Sequence, residues 1–550
     1  MSVAPNLGAN FLDAPAVLPR RSLRLAIIGC GPRGLHCLES LSRRLSPGDL
    51  ARLQITIFEP TAFPGAGAVY APDQPEALKM NFSAGNIDAW GRTRGTGLPD
   101  SERPSLIEWL KVHFPRHSDP DAYVPRAIVG QYLHDAYQRV RRQLQSMAIV
   151  RHHREKVDQI RNVGGVWEVK TAASWRAFDE VVVATGHEGL RPSCRLSPTQ
   201  GDGKTNRRGR FVYPVESNLC RDQIVPGGTV VIRGFGLTAI DAILSLTEGR
   251  GGRFAGQGLL PNYFPSQLEP RCIRVHSRSG RPMLAKPTRK VAAVDETFYR
   301  RYQAEFSNLL DQRGRIHFHR QIWPIIVNAA AGMLVHRGIP RTVREVDQWY
   351  RGWSRYRMDS ATARRHLFQS VCVAHGTRPI DEAYALGEAW RRLYPQMVEV
   401  VSFGGLGVGQ FRSFQRVSME MEKIAFGPPA ESVAKLVRLM KLRIVQRAEE
   451  AQLDDAGEYV DAVLAGPTEA GISGPIRSLM DQGYVCQDAE TGGVRVERDG
   501  SPLDAPRGLA VFGRATEGWI VGNDTLSRTL HDQIENWAQT VLSRLHADIV

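Results

Sequence analysis

Leu25-Ala26-Ile27-Ile28-Gly29-Cys30-Gly31-Pro32-Arg33-Gly34 decides the architecture of this chain. Four aliphatic residues make a short run of the kind buried on both faces of a parallel sheet, and the glycines then turn the chain into a helix. Gly29 permits the tight turn, Gly31 lets the backbone approach a pyrophosphate, and Gly34 lets helix and strand pack closely. Pro32 falls in the first helical turn, where proline is best tolerated, and Arg33 follows it at the mouth of the turn. The helix N-terminus offers free N–H groups and the positive end of its dipole to phosphates. A second run, Gln54-Ile55-Thr56-Ile57-Phe58, ends in Glu59 and Pro60. That is where a carboxylate would accept hydrogen bonds from an adenosine ribose.

The pattern recurs. Val230-Val231-Ile232-Arg233 leads into Gly234-Phe235-Gly236-Leu237-Thr238-Ala239, in which Ala239 replaces the third glycine because that position needs only a small side chain. The next strand, Cys272-Ile273-Arg274-Val275-His276, ends in Ser277 and Arg278 where an NAD binder would place an acid. Arg278 and Arg281 are placed to pair with a 2′-phosphate, which favours NADPH over NADH; arginines merely solvated on a loop are the plain alternative. Between the two turns, Asp179-Glu180-Val181-Val182-Val183 runs into Ala184-Thr185-Gly186. A strand ending in Ala-Thr-Gly at this place resembles two-dinucleotide flavoproteins, in which the first turn takes FAD and the second the nicotinamide cofactor.

Two further stretches are candidates for the flavin. Pro64, Gly65 and Gly67 make a flexible connection able to lie against a flat ring, and Met80 and Asn81, with Ser83 and Asn86, follow nearby. Neutral amides suit an isoalloxazine edge, whose atoms both donate and accept. Near the end, Gly513 opens a glycine-rich loop running to Gly522-Asn523-Asp524-Thr525, which would return to the first domain; Asp524 or Thr525 reads equally well as a helix cap.

With 550 residues, 42% of them hydrophobic, the chain has room for two to four domains with cores of their own. Its net charge of +14 is spread as scattered arginine, and the tightest cluster, Arg207, Arg208 and Arg210 beside Lys204, is short. A nucleic-acid binder concentrates its charge, so none is expected as a partner. Seven cysteines without CxxC or histidine-paired spacing argue for reduced thiols and against a metal site. No apolar run approaches the ~18 to 20 residues of a membrane span, so a cytoplasmic protein is expected. The fold class read from these features is α/β, with two Rossmann-like dinucleotide-binding domains and an inserted, mainly helical domain. The boundaries expected are a tail over 1–22, an FAD part over 23–215 and an NADPH part over 216–290. A helical substrate domain then covers 291–470, and 471–550 returns to the FAD part. Helices are expected over Tyr123 to Leu144, Ala430 to Arg447 and Leu526 to the end. Trp323, Trp349, Tyr350, Trp353 and Tyr356 would line a pocket or pack a helical core.

The order of the two glycine turns around Ala184-Thr185-Gly186 resembles single-component NADPH-dependent flavin monooxygenases. Ile27 to Leu35, Pro64 to Tyr70 with Met80-Asn81, and Gly234 to Thr238 are more closely similar to the FAD-NAD(P)-binding proteins that include nitrosuccinate-forming L-aspartate N-monooxygenases. The resemblance implies N-hydroxylation of a small amine or amino acid by NADPH, FAD and molecular oxygen through a hydroperoxyflavin kept dry, with no separate catalytic triad. His187 is the one titratable residue placed for a cofactor contact, a structural role being its plainer reading. Baeyer–Villiger enzymes carry F-x-G-x-x-x-H before the second turn; here Arg210-Phe211-Val212-Tyr213-Pro214 lacks that spacing. The alternatives are a flavin reductase passing electrons to a partner, or an FAD-binding module without turnover. Substrate identity, catalytic residues and homo-oligomerisation stay open.

Overall fold

The computed structural model describes residues 22–91, 98–186, 209–256, 258–288, 291, 294–448, 457–464, 474–523 and 526–547. Two five-stranded sheets organise it, each parallel throughout. In the first, the order is Leu509–Val511, Glu180–Val183, Leu23–Ile28, Leu53–Phe58, Ile149–His153. Its central strand leads into the helix Pro32–Arg44, and the chain switches sides there, which opens a crevice at the carboxyl ends of the strands. Helices Pro32–Arg44, Arg126–Gln145 and Gln533–Ala547 cover one face through Leu35, Leu38, Tyr132, Val140 and Trp537. The other face packs on an antiparallel sheet of Val157–Val163, Val166–Thr171 and Trp175–Phe178, with Trp167 and Ile160 at its centre.

The second sheet has the order Val445–Arg447, Cys272–His276, Thr229–Arg233, Glu458–Asp461, Arg210–Phe211. It is assembled from distant parts of the chain, and the boundaries expected at 215/216 and 290/291 do not coincide with it. Strand Arg210–Phe211 belongs to this sheet, as do two strands from beyond the helical region. Helices Ser360–Ala374 and Ala430–Lys441 pack on it through Leu367, Val371, Val433 and Leu436, rather than in the helical core. The helix expected from Ala430 to Arg447 stops at Lys441. Arg443 takes a left-handed conformation (φ 58°), and Val445 then pairs with Ile273 as a strand. Apolar spacing alone could not separate that helix from the strand after it. The other expected helices are Arg126–Gln145 and Gln533–Ala547.

The separate helical core holds Glu296–Ser307, Trp323–His336, Val343–Arg355, Glu382–Val401 and Phe411–Ala425 around Phe306, Phe318, Leu386 and Trp390. Trp323, Tyr350 and Trp353 are buried there and build the core itself, while Tyr356 is exposed.

One buried cluster fixes the two nucleotide units to each other. Arg126, at the start of its helix in the first unit, donates to Asp241 Oδ2 at 2.5 Å and to the Tyr213 hydroxyl at 2.7 Å. Tyr213 donates to the same carboxylate. Asp241 lies on the helix Leu237–Leu246 of the second unit. Burial pushes the Tyr213 phenol well above its ordinary pKa, so the hydroxyl stays a donor. Breaking a buried pair from one side leaves a desolvated charge, at a cost of about 3 to 5 kcal/mol. Asp241→Asn should therefore lose about that much in chemical denaturation, and Tyr213→Phe only about 1 kcal/mol.

Candidate active site

The first glycine turn lies in the crevice of the first sheet. Gly29 has φ 85°, and a Cβ there would come 2.6 Å from the Ala184 carbonyl oxygen, so Thr185 and Gly186 run directly against the turn. A Cβ on Gly34 would meet the Gly29 oxygen at 2.4 Å, which is the close helix–strand approach expected of that glycine. Gly31 is different. Its nearest neighbour is the bare Cα of Gly67, 3.6 Å from the built Cβ, so two backbones without side chains face each other across an open cradle. Gly65 (φ 92°) is pinned there by its N–H to the Cys30 carbonyl, and Gly67 (φ 64°) follows it. Gly31 is the N-cap of Pro32–Arg44 and offers no side chain to cap it. Gly236 stands likewise before Leu237–Leu246. Among the described residues, six other helices carry Ser, Thr or Asp caps that accept a backbone N–H. The two helices after glycine turns thus keep their first N–H groups for a ligand, and a dinucleotide pyrophosphate fits both.

Glu59 is buried at the strand end, and its carboxylate accepts the Cys30 N–H at 2.7 Å and the Thr61 N–H at 2.9 Å. It holds the glycine turn in shape, with lone pairs left for a ribose. Pro60 is exposed, its carbonyl accepting from Arg154. Met80 is buried and bonds backbone to backbone with Val124. Asn81 donates its amide to the Phe426 carbonyl at 3.2 Å, so it ties the FAD unit to the helical block.

The closing loop arrives as the sequence suggested. Arg33 donates to the Asn523 carbonyl at 2.8 Å, and Asn523 in turn donates to Gly513 O and Thr516 Oγ1. Asn523 Oδ1 is buried without a partner among the described residues, as is His531 Nε2. Burial, reinforced by the charge of Arg33, pushes the His531 imidazole down to about 4, so it is neutral near pH 7. Asp524 and His187 lie outside the described residues. Sequence reasoning missed His531, which no motif marks.

In the second unit Gly234 (φ 113°) packs on the Ala462 carbonyl, and Leu237 and Thr238 form the half-exposed first turn. Ser277 accepts the Gly280 N–H, and Arg278 is exposed at the strand end. Arg281 corrects the expectation made for it. Its guanidinium is buried, paired with Glu420 at 2.7 and 2.8 Å, and also donates to the Tyr356 carbonyl. These contacts fasten the second unit to the helical block and leave no fork for a 2′-phosphate.

The helical block meets the segments that lead into the closing loop. Phe403 N–H donates to Trp519 O at 2.7 Å, Val521 N–H donates to Ser402 Oγ at 3.1 Å, and Glu490 accepts from Gly409 and Phe411. Tyr394 stacks edge-on with Phe426, and the same Tyr394 lies against Gly522. Tyr394, Phe426 and Trp519 are the aromatics at this seam, not the set picked from the sequence.

If the open cradle at Gly31 is the pyrophosphate site, Gly31→Val should leave the fold intact, since among the described residues, its chain neighbours aside, no atom lies closer than 3.6 Å to the new Cβ. It should abolish FAD retention, read as loss of flavin absorbance in protein whose melting curve matches that of FAD-free wild type.

A family model described as FAD-NAD(P)-binding matches residues 26–188. Nitrosuccinic acid synthase of Aspergillus oryzae is 28% identical over 314 residues, covering 55% of this chain and 48% of that protein. An L-aspartate N-monooxygenase (nitrosuccinate-forming) of Streptomyces cremeus is 30% identical over 302 residues, covering 48% of this chain and 43% of its own length. The matches thus span about half the length of these curated relatives. The ornithine N-hydroxylase of Kutzneria sp. 744 covers 96% of this chain and 100% of its own at 14% identity, with a TM-score of 0.42. No described helix is long and apolar enough to cross a membrane. The open glycine cradle and its uncapped helix lie within residues 26–188, the stretch that matches the FAD-NAD(P)-binding family model.

Proposed function

We propose that the chain is an NADPH- and FAD-dependent monooxygenase that N-oxidises a small amino acid, with an L-aspartate-like acid as the leading candidate. The observation that carries this reading is the double anchorage of the helical block, at Asn81 on one side of the first glycine site and at Ser402–Val521 on the other. A reductase that passes electrons to a carrier needs its flavin edge open. Here Tyr394 packs edge-on against Phe426 and lies beside Gly522 of the returning loop, a closed apolar seam that suits chemistry which must exclude water. The similarity to L-aspartate N-monooxygenases supports the same reading. Bound FAD would supply the redox chemistry and the activation of oxygen. The protein's part is to hold it on the Gly31 cradle, to present the nicotinamide from Gly236, and to keep the seam closed.

The test is to screen L-amino acids for substrate-stimulated NADPH oxidation by the FAD-loaded protein, with mass spectrometry of the products. An N-oxygenated amino acid is the expected product. Phe426→Ala should raise the share of NADPH equivalents leaving as hydrogen peroxide several-fold. Electron delivery to an added carrier without any oxygenated product would support the reductase instead.

Arg278, exposed where the second dinucleotide's ribose would lie, is proposed as the 2′-phosphate ligand. Losing one charged contact costs about 1.5 to 3 kcal/mol. Arg278→Ala should therefore narrow the NADPH over NADH preference in flavin reduction by at least tenfold. An unchanged ratio would remove the role from Arg278, and Arg281 is already committed elsewhere.

A further inference from the structure

Asp295, Asp359 and Asp381 cap helices in the same way but in different surroundings. Asp295 and Asp359 are exposed, and the backbone N–H groups they accept hold their carboxyls below the ordinary range. Asp381 caps Glu382–Val401, its Oδ1 accepting the Tyr384 N–H at 3.0 Å. It is only partly exposed, and burial pushes its carboxyl up instead. Capping does not call for this, since a Ser, Thr or Asn would serve without placing a charge where water is scarce.

Asp381 lines a cleft of about 570 Å³, partly open to solvent. Tyr384 and Arg391 join it from the same helix, and His366 and Ser370 line the cleft from the helix Ser360–Ala374. The other charges around the cleft are already answered. Arg391 gives Nη2 and Nε to Glu388 at 2.8 and 3.2 Å and Nη1 to the Ala425 carbonyl at 2.6 Å. It also stands roughly 15 Å from Asp381 along the helix, at a rise of about 1.5 Å per residue. Burial and Arg365 push the His366 imidazole down, so it adds no charge near pH 7. No Lys, Arg or His stands within ion-pair distance of Asp381 among the described residues, and Arg378 acts on it only from farther off. The unanswered charge turned to the cleft is therefore negative.

The rest of the wall is aromatic and apolar. Trp349 lines it, its ring stacked on Trp353 at 5.7 Å, and the Tyr384 phenol is pushed up to about 12 by burial, so it stays protonated. Leu284, Val373 and Ile424 supply apolar surface. One carboxylate set in such a wall suits an organic ammonium: the acid pairs with its N–H groups, ring faces attract the cation, and the apolar surface takes the carbon chain. The cleft lies beside the second glycine turn, but none of that turn's residues lines it. Met283 Sδ is 3.9 Å from where a Gly236 Cβ would stand, and Leu284 is the next residue.

We propose that this cleft binds a ligand through an organic ammonium group, with Asp381 taking the charge and Trp349 and Tyr384 supplying aromatic surface around it. The site is separate from both glycine turns and does not rest on the monooxygenase reading. The same chemistry would serve the amine of a substrate or an amine effector that is not turned over.

The experiment is calorimetric titration of the FAD-loaded protein with hexylammonium, hexanoate and hexan-1-ol, which share one chain and differ in head group. Hexylammonium should bind saturably and the other two should not. Asp381→Asn keeps the cap, because asparagine caps as well as aspartate, and should weaken hexylammonium by about tenfold or more with the melting temperature retained. Trp349→Leu keeps an apolar wall and should weaken it several-fold by removing the ring face. Saturating NADP+ should leave the affinity as it was. No saturable binding of hexylammonium, equal binding of all three probes, unchanged affinity in both variants, or displacement of the amine by NADP+ would overturn the assignment. Mass spectrometry of the bound amine after addition of NADPH separates its two sources: an N-oxygenated product supports a substrate site, and amine recovered unchanged supports an effector site. The monooxygenase reading fails separately, by yielding no oxygenated product from any L-amino acid.

Discussion

Hydride can pass between two bound dinucleotides only if the units that hold them keep a fixed relation, since a misplacement of about 1 Å at the reacting atoms is enough to lose it. The Arg126–Asp241 pair carries that constraint. It joins the first residue of Arg126–Gln145 to the second turn of Leu237–Leu246, one helix from each unit, and Tyr213 completes the shell around the shared carboxylate. Most contacts between the units could slide by a fraction of an ångström. A desolvated ion pair with a third hydrogen-bonding partner cannot do so without exposing charge to an apolar interior.

The second element of the frame is the return of the chain's end. Glu39, buried on the helix after the first glycine turn, accepts from Arg43 and Arg528, while Glu535 on the last described helix accepts from Arg43 and Arg44. Glu535 is held well below the ordinary carboxylate range by its arginine partners and His36. The network sits behind the glycine turn and leads straight to Arg33 and Asn523. The loop that borders the cofactor cradle is therefore as firmly placed as the cradle, although almost five hundred residues separate them in sequence.

What could be read from the sequence follows from how local each signal is. The two glycine turns, the strands feeding them and the alternation of strand and helix are short-range patterns, and they stand where the spacing put them. The return of the closing loop to the first glycine turn was legible because a glycine-rich loop advertises itself. Arg281 was misread because an arginine after a strand looks the same whether it meets a phosphate or Glu420. Nothing adjacent in the chain announces a partner more than a hundred residues away. Arg126 and His531 were invisible for the same reason: each owes its character to burial by distant segments. The aromatic residues show the limit from the other side. Trp323, Tyr350 and Trp353 were correctly seen as a cluster, yet composition cannot tell a core from a lining.

The patchwork second sheet has a consequence for how the molecule is made. Strand Thr229–Arg233 gains one neighbour, Cys272–His276, soon after it is synthesised. Its other neighbour, Glu458–Asp461, leaves the ribosome only when the whole helical block has been translated. Until then an apolar strand with an open edge waits in the nascent chain, a template for pairing with the wrong partner. The first sheet has the same gap, because Glu180–Val183 waits for Leu509–Val511. Both nucleotide units are thus finished together and late, so production of this chain calls for conditions that shelter long-range sheet closure, such as low temperature and ample chaperone, more than for any change to its surface.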